Sequence, residues 1–543
     1  MNVFNDKNLF TNRKSELNIL RRAVEDLDEG IVRNIALFGL RRIGKTFLIQ
    51  RFFKALIKSD KIYPIYINLE DMVTSPELFT ERYVGSISFE LFSEVDSNIY
   101  DFLTTENLIK VSFKSRVVSE TASLIFSELQ KEHPDKELLL KIAFDYPQKI
   151  AEEKNCKLII ALDEFQYLNI FENFRVTNPL GIFRNSIASQ NRCLYIIAGS
   201  AISIMRETIT SQSSPLFLQF EMLELSNFDK SNSVELSKKI MPEIPDDAAV
   251  EIFTYTRGNP FYINALTNRL KRMNYSTEMT KDLVRKAFII EALSKTGQIY
   301  NYCKYIFDIS LEKARGYGNL KAILQLLSEK DGLTRAEIAK GIRKGYGPVG
   351  PYLNSLVSVD LLIQESNLFY FRDPVLKFWV AATQRGIEVP EFNHKKELLK
   401  TISLMENKIQ ELSTEIGVLK EGEIRNIFHK FNNQIIPGKI LGVHENIKLP
   451  HFNEIQRFIS SSGQVEIDVL AKNSESWACE INWGSKLAGK KDLFSFLNKA
   501  KGLAKKYWYI SKIGFTKEAR DFAKENKIYI SSRTEISALI KKL

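Results

Sequence analysis

The feature that most constrains the fold is the stretch "NIALFGLRRIGKTFLIQRFF". An apolar run, Ile35 to Phe38, ends in Gly39. The spacing GxxxxGKT then passes through Gly44, Lys45 and Thr46 into a second apolar run at helical spacing. Strand, glycine-bounded loop and helix in that order can wrap phosphate oxygens with backbone N–H groups and a helix N-terminus, with Lys45 reaching the β and γ phosphates and the Thr46 hydroxyl holding Mg²⁺. Gly39, Arg42, Ile43, Gly44, Lys45, Thr46 and Phe47 are therefore the expected contacts of a bound ATP.

Farther along, "KLIIALDEFQYL" carries a buried-strand run from Leu158 to Leu162 that ends in Asp163 and Glu164. Carboxylates at a strand end suit metal-assisted phosphoryl transfer: Asp163 holds the metal through water, and Glu164 polarises the attacking water. A second run, "CLYIIAGS", ends in Ser200, whose hydroxyl can sense the γ-phosphate, and "IYPIYINLED" supplies another strand. Strands alternating with helices predict an α/β fold with a parallel sheet and the nucleotide at the strands' carboxyl ends.

The opening "LFTNRKSELNIL" resembles the F-x-x-R-x-x-E-L lead-in of the archaeal-type ATPases, a branch of the AAA+ and STAND P-loop proteins. "RGNPFYINAL", with Gly258 and Pro260, is similar to their lid motif. The resemblance covers roughly residues 1 to 380. It implies that Asn12 and Arg13 border the adenine, that Pro260 lies by the base, and that Ser200 is the sensor at the end of its strand. One departure stands out. The family has Gly-Arg after Pro-Leu-aromatic, whereas this chain reads "SPLFLQFEMLEL", with Leu218 and Gln219 there. Arg184, Arg206 and Arg257 are candidate substitutes, each also readable as an ordinary surface or lid residue.

At 543 residues the chain needs several cores, and a prior of about 150 residues per domain predicts three or four. The expected division is a P-loop core over 1–220, a helical lid over 221–298, a winged helix over 299–392, a connector helix over 393–420 and a nuclease-like domain over 421–543. In the third segment Thr334 and Glu337 have capping-box spacing, and a helix from about Pro351 to Val359 is the one offered to a DNA major groove or to a protein neighbour. Leu399, Ile402, Met405, Ile409, Leu412, Ile416 and Leu419 recur at three and four residues, which predicts an amphipathic connector. No apolar run reaches the roughly 20 residues that span a bilayer, so a cytoplasmic protein without a membrane partner is expected. Cys156, Cys193, Cys303 and Cys479 form no CxxC pair and are read as buried thiols.

Charge is concentrated at the end. From Lys486 onward there are 15 Lys plus Arg against 5 Asp plus Glu, which accounts for the whole net charge of +10. Such a surface faces polyanions, most often nucleic acid, with Lys499, Lys501, Lys505, Lys506 and Lys512 as candidate contacts. Just before it, "VEIDVLAKNSESWACEINWG" holds Asp468 on one short strand and Glu480 on the next. Helix, carboxylate strands, basic helix, strand, helix and strand in that order resemble the restriction-endonuclease-like fold. "YISKIGFTKEARDFAKENKIYI" is similar to the tail of type IV restriction nucleases. That resemblance makes Glu423, Asp468 and Glu480 an acidic set for Mg²⁺. The family's lysine two residues past the glutamate is Asn482 here, and Lys486 is a candidate replacement. An active nuclease, a DNA-binding remnant and a protein-contact domain all remain open.

Two functions fit these features. One is an ATPase that positions a DNA-facing, nuclease-like domain, in defence or mobile-element biology. The other is a nucleotide-gated signalling switch or scaffold with an inactive nuclease fold. Homo-oligomer formation is open in both.

Overall fold

The computed structural model describes residues 9–56, 61–94, 97–273, 279–312, 317–330, 332–365, 367–389, 424, 427–459, 466–482, 487–540 and 542–543. The chain divides into two compact units, Met1–Lys281 and Asp282–Leu543.

In the first unit β1 (Ile35–Phe38), β2 (Ile62–Asn68), β3 (Lys157–Asp163), β4 (Cys193–Gly199) and β5 (Glu221–Glu224) form one parallel sheet in the order β2-β3-β4-β1-β5. Its central strands are continuously apolar because both faces are covered. Ile35 and Leu37 point into a layer shared with Leu20 of helix Lys14–Asp28 and with Leu48 and Phe52 of helix Lys45–Leu56. Ala36 and Phe38 face the other layer, where Phe79, Tyr83, Phe144 and Phe183 pack ring against ring at 5.1–5.8 Å. Those aromatics come largely from a helical excursion between β2 and β3, including helices Pro76–Phe92, Arg116–Leu129 and Lys136–Glu153. β5 pairs with β1, so the sheet runs past the core boundary expected at residue 220. After it come helices Lys230–Ile240, Asp246–Thr256 and Pro260–Met273.

The topology places the chemistry. Because β1, β4 and β3 are parallel neighbours, the loop after β1, Ser200 after β4 and Asp163–Glu164 at the end of β3 emerge side by side at one edge of the sheet.

The second unit contains a three-stranded antiparallel sheet, β6 (Leu333–Thr334), β7 (Leu362–Glu365) and β8 (Leu368–Phe371), in the order β6-β8-β7. It accompanies helices Tyr317–Glu329, Arg335–Gly341 and Tyr346–Ser358. Thr334 and Glu337 make the reciprocal capping box. The third helix starts at Tyr346 rather than near Pro351, so that proline sits inside it. A proline there leaves the carbonyl four residues back without its helical donor. Arg335 supplies one instead, donating to the carbonyls of Gly347 at 2.9 Å and Tyr346 at 2.9 Å.

Toward the C-terminus, after the short pair β9 (Ile435–Ile436) and β10 (Ile447–Lys448), lies a mixed five-stranded sheet. β11 (Glu454–Ile459), β12 (Glu466–Lys472) and β13 (Ser476–Asn482) are antiparallel, and β14 (Lys506–Ser511) and β15 (Ile528–Ser532) continue in parallel. Helices Lys490–Ala500 and Lys517–Glu525 cover one face through Leu493, Phe496 and Phe522. Trp477 and Trp508 are fully buried in the other, among Phe428, Phe431 and Phe452. The whole of the expected connector, together with Glu423 and Lys486, lies outside the described residues. All four cysteines are buried thiols. Among the described residues no helix is long and apolar enough to cross a membrane.

Candidate functional site

The loop after β1 takes its shape from left-handed backbone at Arg42 (φ 61°) and Gly44 (φ 102°). Nothing lies within 4 Å of a Cβ built on Gly44, so glycine is required there by backbone conformation rather than by space. Alternation of this kind turns N–H groups toward one concave side. Lys45 is buried at the start of its helix, and its ammonium donates to the carbonyls of Gly39 at 2.8 Å and Leu40 at 3.2 Å.

Four sequence-predicted residues converge beside it. The Thr46 hydroxyl donates to Asp163 Oδ2 at 2.7 Å. Ser200 donates to Glu164 Oε2 at 2.9 Å. The Glu164 N–H donates to Asp163 Oδ1 at 3.0 Å. Glu164 itself sits in left-handed backbone at φ 52°, which for a non-glycine residue costs of order 1–3 kcal/mol and turns its carboxylate out of the strand's line.

Reading the sequence missed Tyr66, Gln166 and Arg41. The Tyr66 hydroxyl donates to Asp163 Oδ2 at 2.7 Å, so two hydroxyls hold one carboxylate oxygen. Burial first, and Asp163 second, raise the ionisation of that phenol well above its ordinary range, which keeps it a donor. Gln166 also donates to Glu164 Oε2, and its side-chain oxygen is buried without a hydrogen-bond partner. Arg41 Nε donates to Ser200 Oγ at 3.2 Å. Tyr66 carried a signal: it is a hydroxyl between Ile65 and Ile67 on a strand of a sheet covered on both faces. Arg41 gave none, because its partner Ser200 follows another strand, and Gln166 gave none although Glu164 is only two residues away.

The lead-in and lid motifs meet the loop. Asn12 and Arg13 are both left-handed, at φ 56° and 65°. Arg13 is buried, donates to the Ser226 carbonyl at 2.8 Å and to Glu16 at 3.1 Å, and lies over the Phe228 ring at 4.8 Å. Its guanidinium is thus a strut between protein groups. Phe228 N–H donates to the Gly258 carbonyl at 2.8 Å, and a Cβ on Gly258 would stand 1.9 Å from the Phe228 oxygen. Pro260 opens the next helix, and its neighbour Phe261 receives Arg42 over its ring at 4.3 Å. Phe47 packs on Phe10 at 5.5 Å. Of the candidate substitute arginines, Arg206 pairs with Glu224 at 2.7 Å, Arg184 is exposed beside Asn185, and Arg257 is the left-handed residue closing helix Asp246–Thr256. Leu218, at the family's glycine position and just before Gln219 at its arginine position, is also left-handed, and 79% exposed.

A parallel sheet with this loop, a carboxylate pair at the end of β3 and a polar residue at the end of the strand between them defines a P-loop NTPase. Residues 10–266 match a family model described as an ATPase domain predominantly from Archaea. That segment, a little under half of the chain, is an archaeal-type P-loop ATPase domain. None of the curated proteins compared matches the chain. Among solved structures, a Walker-type ATPase of Pyrococcus abyssi is 18% identical, with a TM-score of 0.47, over 68% of this chain and 96% of that one. The ORC2 protein of Aeropyrum pernix, solved in ADPNP–ADP complexes, is 15% identical, with a TM-score of 0.32, over 70% of this chain and 99% of that one. A STAND protein of Pyrococcus horikoshii with a tetratricopeptide repeat sensor is 13% identical, with a TM-score of 0.28, over 78% of this chain and 50% of that one. The assignment rests on the site and the family match.

In the C-terminal sheet Val469 pairs with Cys479, which sets Asp468 and Glu480 next to each other on neighbouring strands. Asp468 Oδ2 accepts the Ile481 N–H at 2.7 Å, and Glu480 Oε1 accepts the Lys499 ammonium at 3.1 Å. Lys499 projects from helix Lys490–Ala500, whereas the sequence alone places it on the basic surface. Tyr509 on β14 bonds Asn482, and burial raises its ionisation well above the ordinary range. Among the described residues no group of three or more His, Cys, Asp or Glu is arranged to hold a metal ion.

Proposed function

We propose that the first unit binds ATP with Mg²⁺ and hydrolyses it, and that its nucleotide state governs a C-terminal domain whose basic face meets DNA. The observation that carries the first part is the Thr46–Asp163 contact at 2.7 Å. A hydroxyl and a carboxylate oxygen at that separation fit a hard divalent cation, which those two residues would hold. When bound, Mg²⁺ neutralises charge on the β- and γ-oxygens. Around it, Lys45 and the loop N–H groups bind the phosphates, Tyr66 orients Asp163, Glu164 orients the water, and Ser200 faces the γ-phosphate. Phosphate release from MgATP by the full chain, with and without duplex DNA, tests the reading. Repeated turnover that responds to DNA is the expected result. A single slow turnover with nucleotide copurifying would instead favour the second reading, a nucleotide-gated switch. The hold of Ser200 and Gln166 on Glu164 Oε2 supports that second reading, because an oxygen so engaged is a poorer acceptor for the attacking water.

The DNA part is supported by charge. Of the sequence-read lysines, Lys499 and Lys506 are paired with Glu480 and Glu475. The exposed cations include Lys490, Lys491, Lys501 and Lys505. Replacing these four with alanine should weaken binding to all duplexes alike and flatten the slope of log affinity against log salt by about 0.9 for each phosphate no longer neutralised. An unchanged slope in a fluorescence-anisotropy titration would show that this face meets another partner. The winged-helix reading of residues 299–392 and a role for Tyr346–Ser358 against DNA belong to the same proposal, supported by the three helices and the antiparallel sheet within 317–371.

A further inference from the structure

We propose that Leu487 and Ile513, at the carboxyl end of the C-terminal sheet, form an apolar wedge that enters a DNA duplex and unstacks one base step, while Lys490, Lys512, Lys517 and Arg520 hold the flanking phosphates. The proposal rests on the reading that this unit's basic face meets DNA, and it names the contact that face makes beyond charge.

β13 and β14 are parallel neighbours, so the chain leaves both at one end of the sheet. The turn after β14 is fixed from two sides. The buried Ser511 hydroxyl donates to the Gly514 carbonyl at 2.9 Å, and the same carbonyl takes the Ala488 N–H at 2.9 Å. Lys512 N–H donates to the Asn482 carbonyl at 2.9 Å, and Thr516 N–H to the Ala488 carbonyl at 3.0 Å. Gly514 is left-handed at φ 111°, a conformation that suits glycine. A Cβ built on it would stand 3.8 Å from Leu487 Cδ2 and 3.9 Å from Arg520 Nη2. Leu487, the turn that carries Ile513 and the Arg520 guanidinium therefore share one small patch. Leu487 is 50% exposed and Ile513 49%.

A single exposed apolar side chain is ordinary. Here two stand together on backbone that is hydrogen-bonded on both sides, so their exposure does not come from a loose turn. Around them Lys490, Lys517 and Arg520 are exposed and Lys512 is half-buried. Lys490 leans over the Phe522 ring at 5.8 Å. Asp492, Glu518 and Asp521 lie in the same two helices, and none of them pairs with these cations. An apolar centre with a cationic rim selects among partners. Two side chains offer far less than the about 800 Å² per partner of a stable protein interface. A base step, by contrast, takes a single side chain. Leucine and isoleucine are among the residues that proteins slide between bases, opening the stack while cations bind the adjoining phosphates. Unstacking costs least at pyrimidine–purine steps, so those are the steps the wedge should favour.

The test uses the full chain as wild type, Leu487→Ala, Ile513→Ala, the double variant of these two, Ile513→Leu, Lys517→Ala, Arg520→Ala and, as a control, Ile435→Ala, Ile435 being exposed on β9. Each is titrated by anisotropy, at several salt concentrations, against a short duplex with 2-aminopurine at a central TA step. The 2-aminopurine fluorescence is then read at saturation. Wild type should raise that fluorescence as the step unstacks. Each alanine variant of the wedge should lose part of the rise. The double variant should lose all of it and bind about tenfold more weakly at an unchanged salt slope, because an apolar contact releases no counterions. Ile513→Leu should keep most of the rise. Lys517→Ala and Arg520→Ala should keep it too, and each should flatten the slope by about 0.9. Ile435→Ala should match wild type. Wild-type fluorescence and affinity in the double variant overturns the wedge and leaves the DNA reading standing. So does a wild type that binds the duplex without raising the fluorescence. If wild type binds no duplex at low salt, the DNA reading fails and takes the wedge with it. Binding to phosphatidylserine vesicles that the double variant loses, in place of duplex binding, would assign the patch to a membrane surface and overturn both.

Discussion

Lys45→Ala is expected to abolish ATP binding, and Glu164→Gln to bind ATP at nearly wild-type affinity while hydrolysing it at least about 10²-fold more slowly. The two effects differ because the two side chains act on different atoms. The Lys45 ammonium is buried at the helix start and already donates to the carbonyls of Gly39 and Leu40, so it stands inside the loop that terminal phosphates would occupy. Removing it takes away a charged donor where the surrounding donors are neutral N–H groups. The Glu164 carboxylate bonds Ser200 and Gln166, and the residue meets Asp163 through its own N–H. Amide replacement keeps that backbone bond, leaves the cation's ligands intact and offers Ser200 and Gln166 a neutral amide oxygen, while the water loses its orienting carboxylate. Equilibrium dialysis with labelled ATP and a phosphate-release assay separate the outcomes. Equal hydrolysis by wild type and Glu164→Gln would remove Glu164 from the chemistry.

How much of this was legible depended on whether the partners were close in sequence. Gly39 to Thr46 and Leu158 to Glu164 read correctly as strand-and-loop units because each motif is contiguous and its apolar run is the strand that presents it. Tyr66 and Arg41 did not, because the bond of one crosses between β2 and β3 and that of the other joins residues after β1 and β4, and only the strand order brings those ends together. The start of helix Tyr346–Ser358 was misplaced for a related reason. Pro351 looks like a first-turn residue, and what lets it sit in the interior is Arg335, sixteen positions earlier, donating to the Gly347 carbonyl. In the C-terminal sheet the same limit applied to charge: a lysine counted toward a basic face is the partner of Glu480.

That pairing sets the last expected result: Asp468→Ala should remove whatever metal-dependent strand cleavage the full chain shows, and Lys499→Ala should lower it about 10²-fold to 10³-fold. Asp468 is buried, and its Oδ2 takes the Ile481 N–H at 2.7 Å, so the next strand holds this carboxylate in place beside Glu480. Two carboxylates without a third acidic, histidine or cysteine ligand among the described residues hold a hard cation loosely, so cleavage should need millimolar Mn²⁺ or Mg²⁺. Asn482 brings no charge to a pentavalent phosphate, and its side chain is bonded to Tyr509. The ammonium beside the carboxylates is that of Lys499, at 3.1 Å from Glu480 and half-buried. Asn482→Lys should therefore add little to wild type and restore part of the activity missing in Lys499→Ala. Plasmid nicking by wild type, the three single variants and the Asn482→Lys, Lys499→Ala double variant, alongside duplex affinity for each, decides the matter. Cleavage unchanged in Lys499→Ala would make the Glu480 pair purely structural. No cleavage by any of them, with affinity intact, would leave this sheet a DNA-binding module whose carboxylates serve only its own fold.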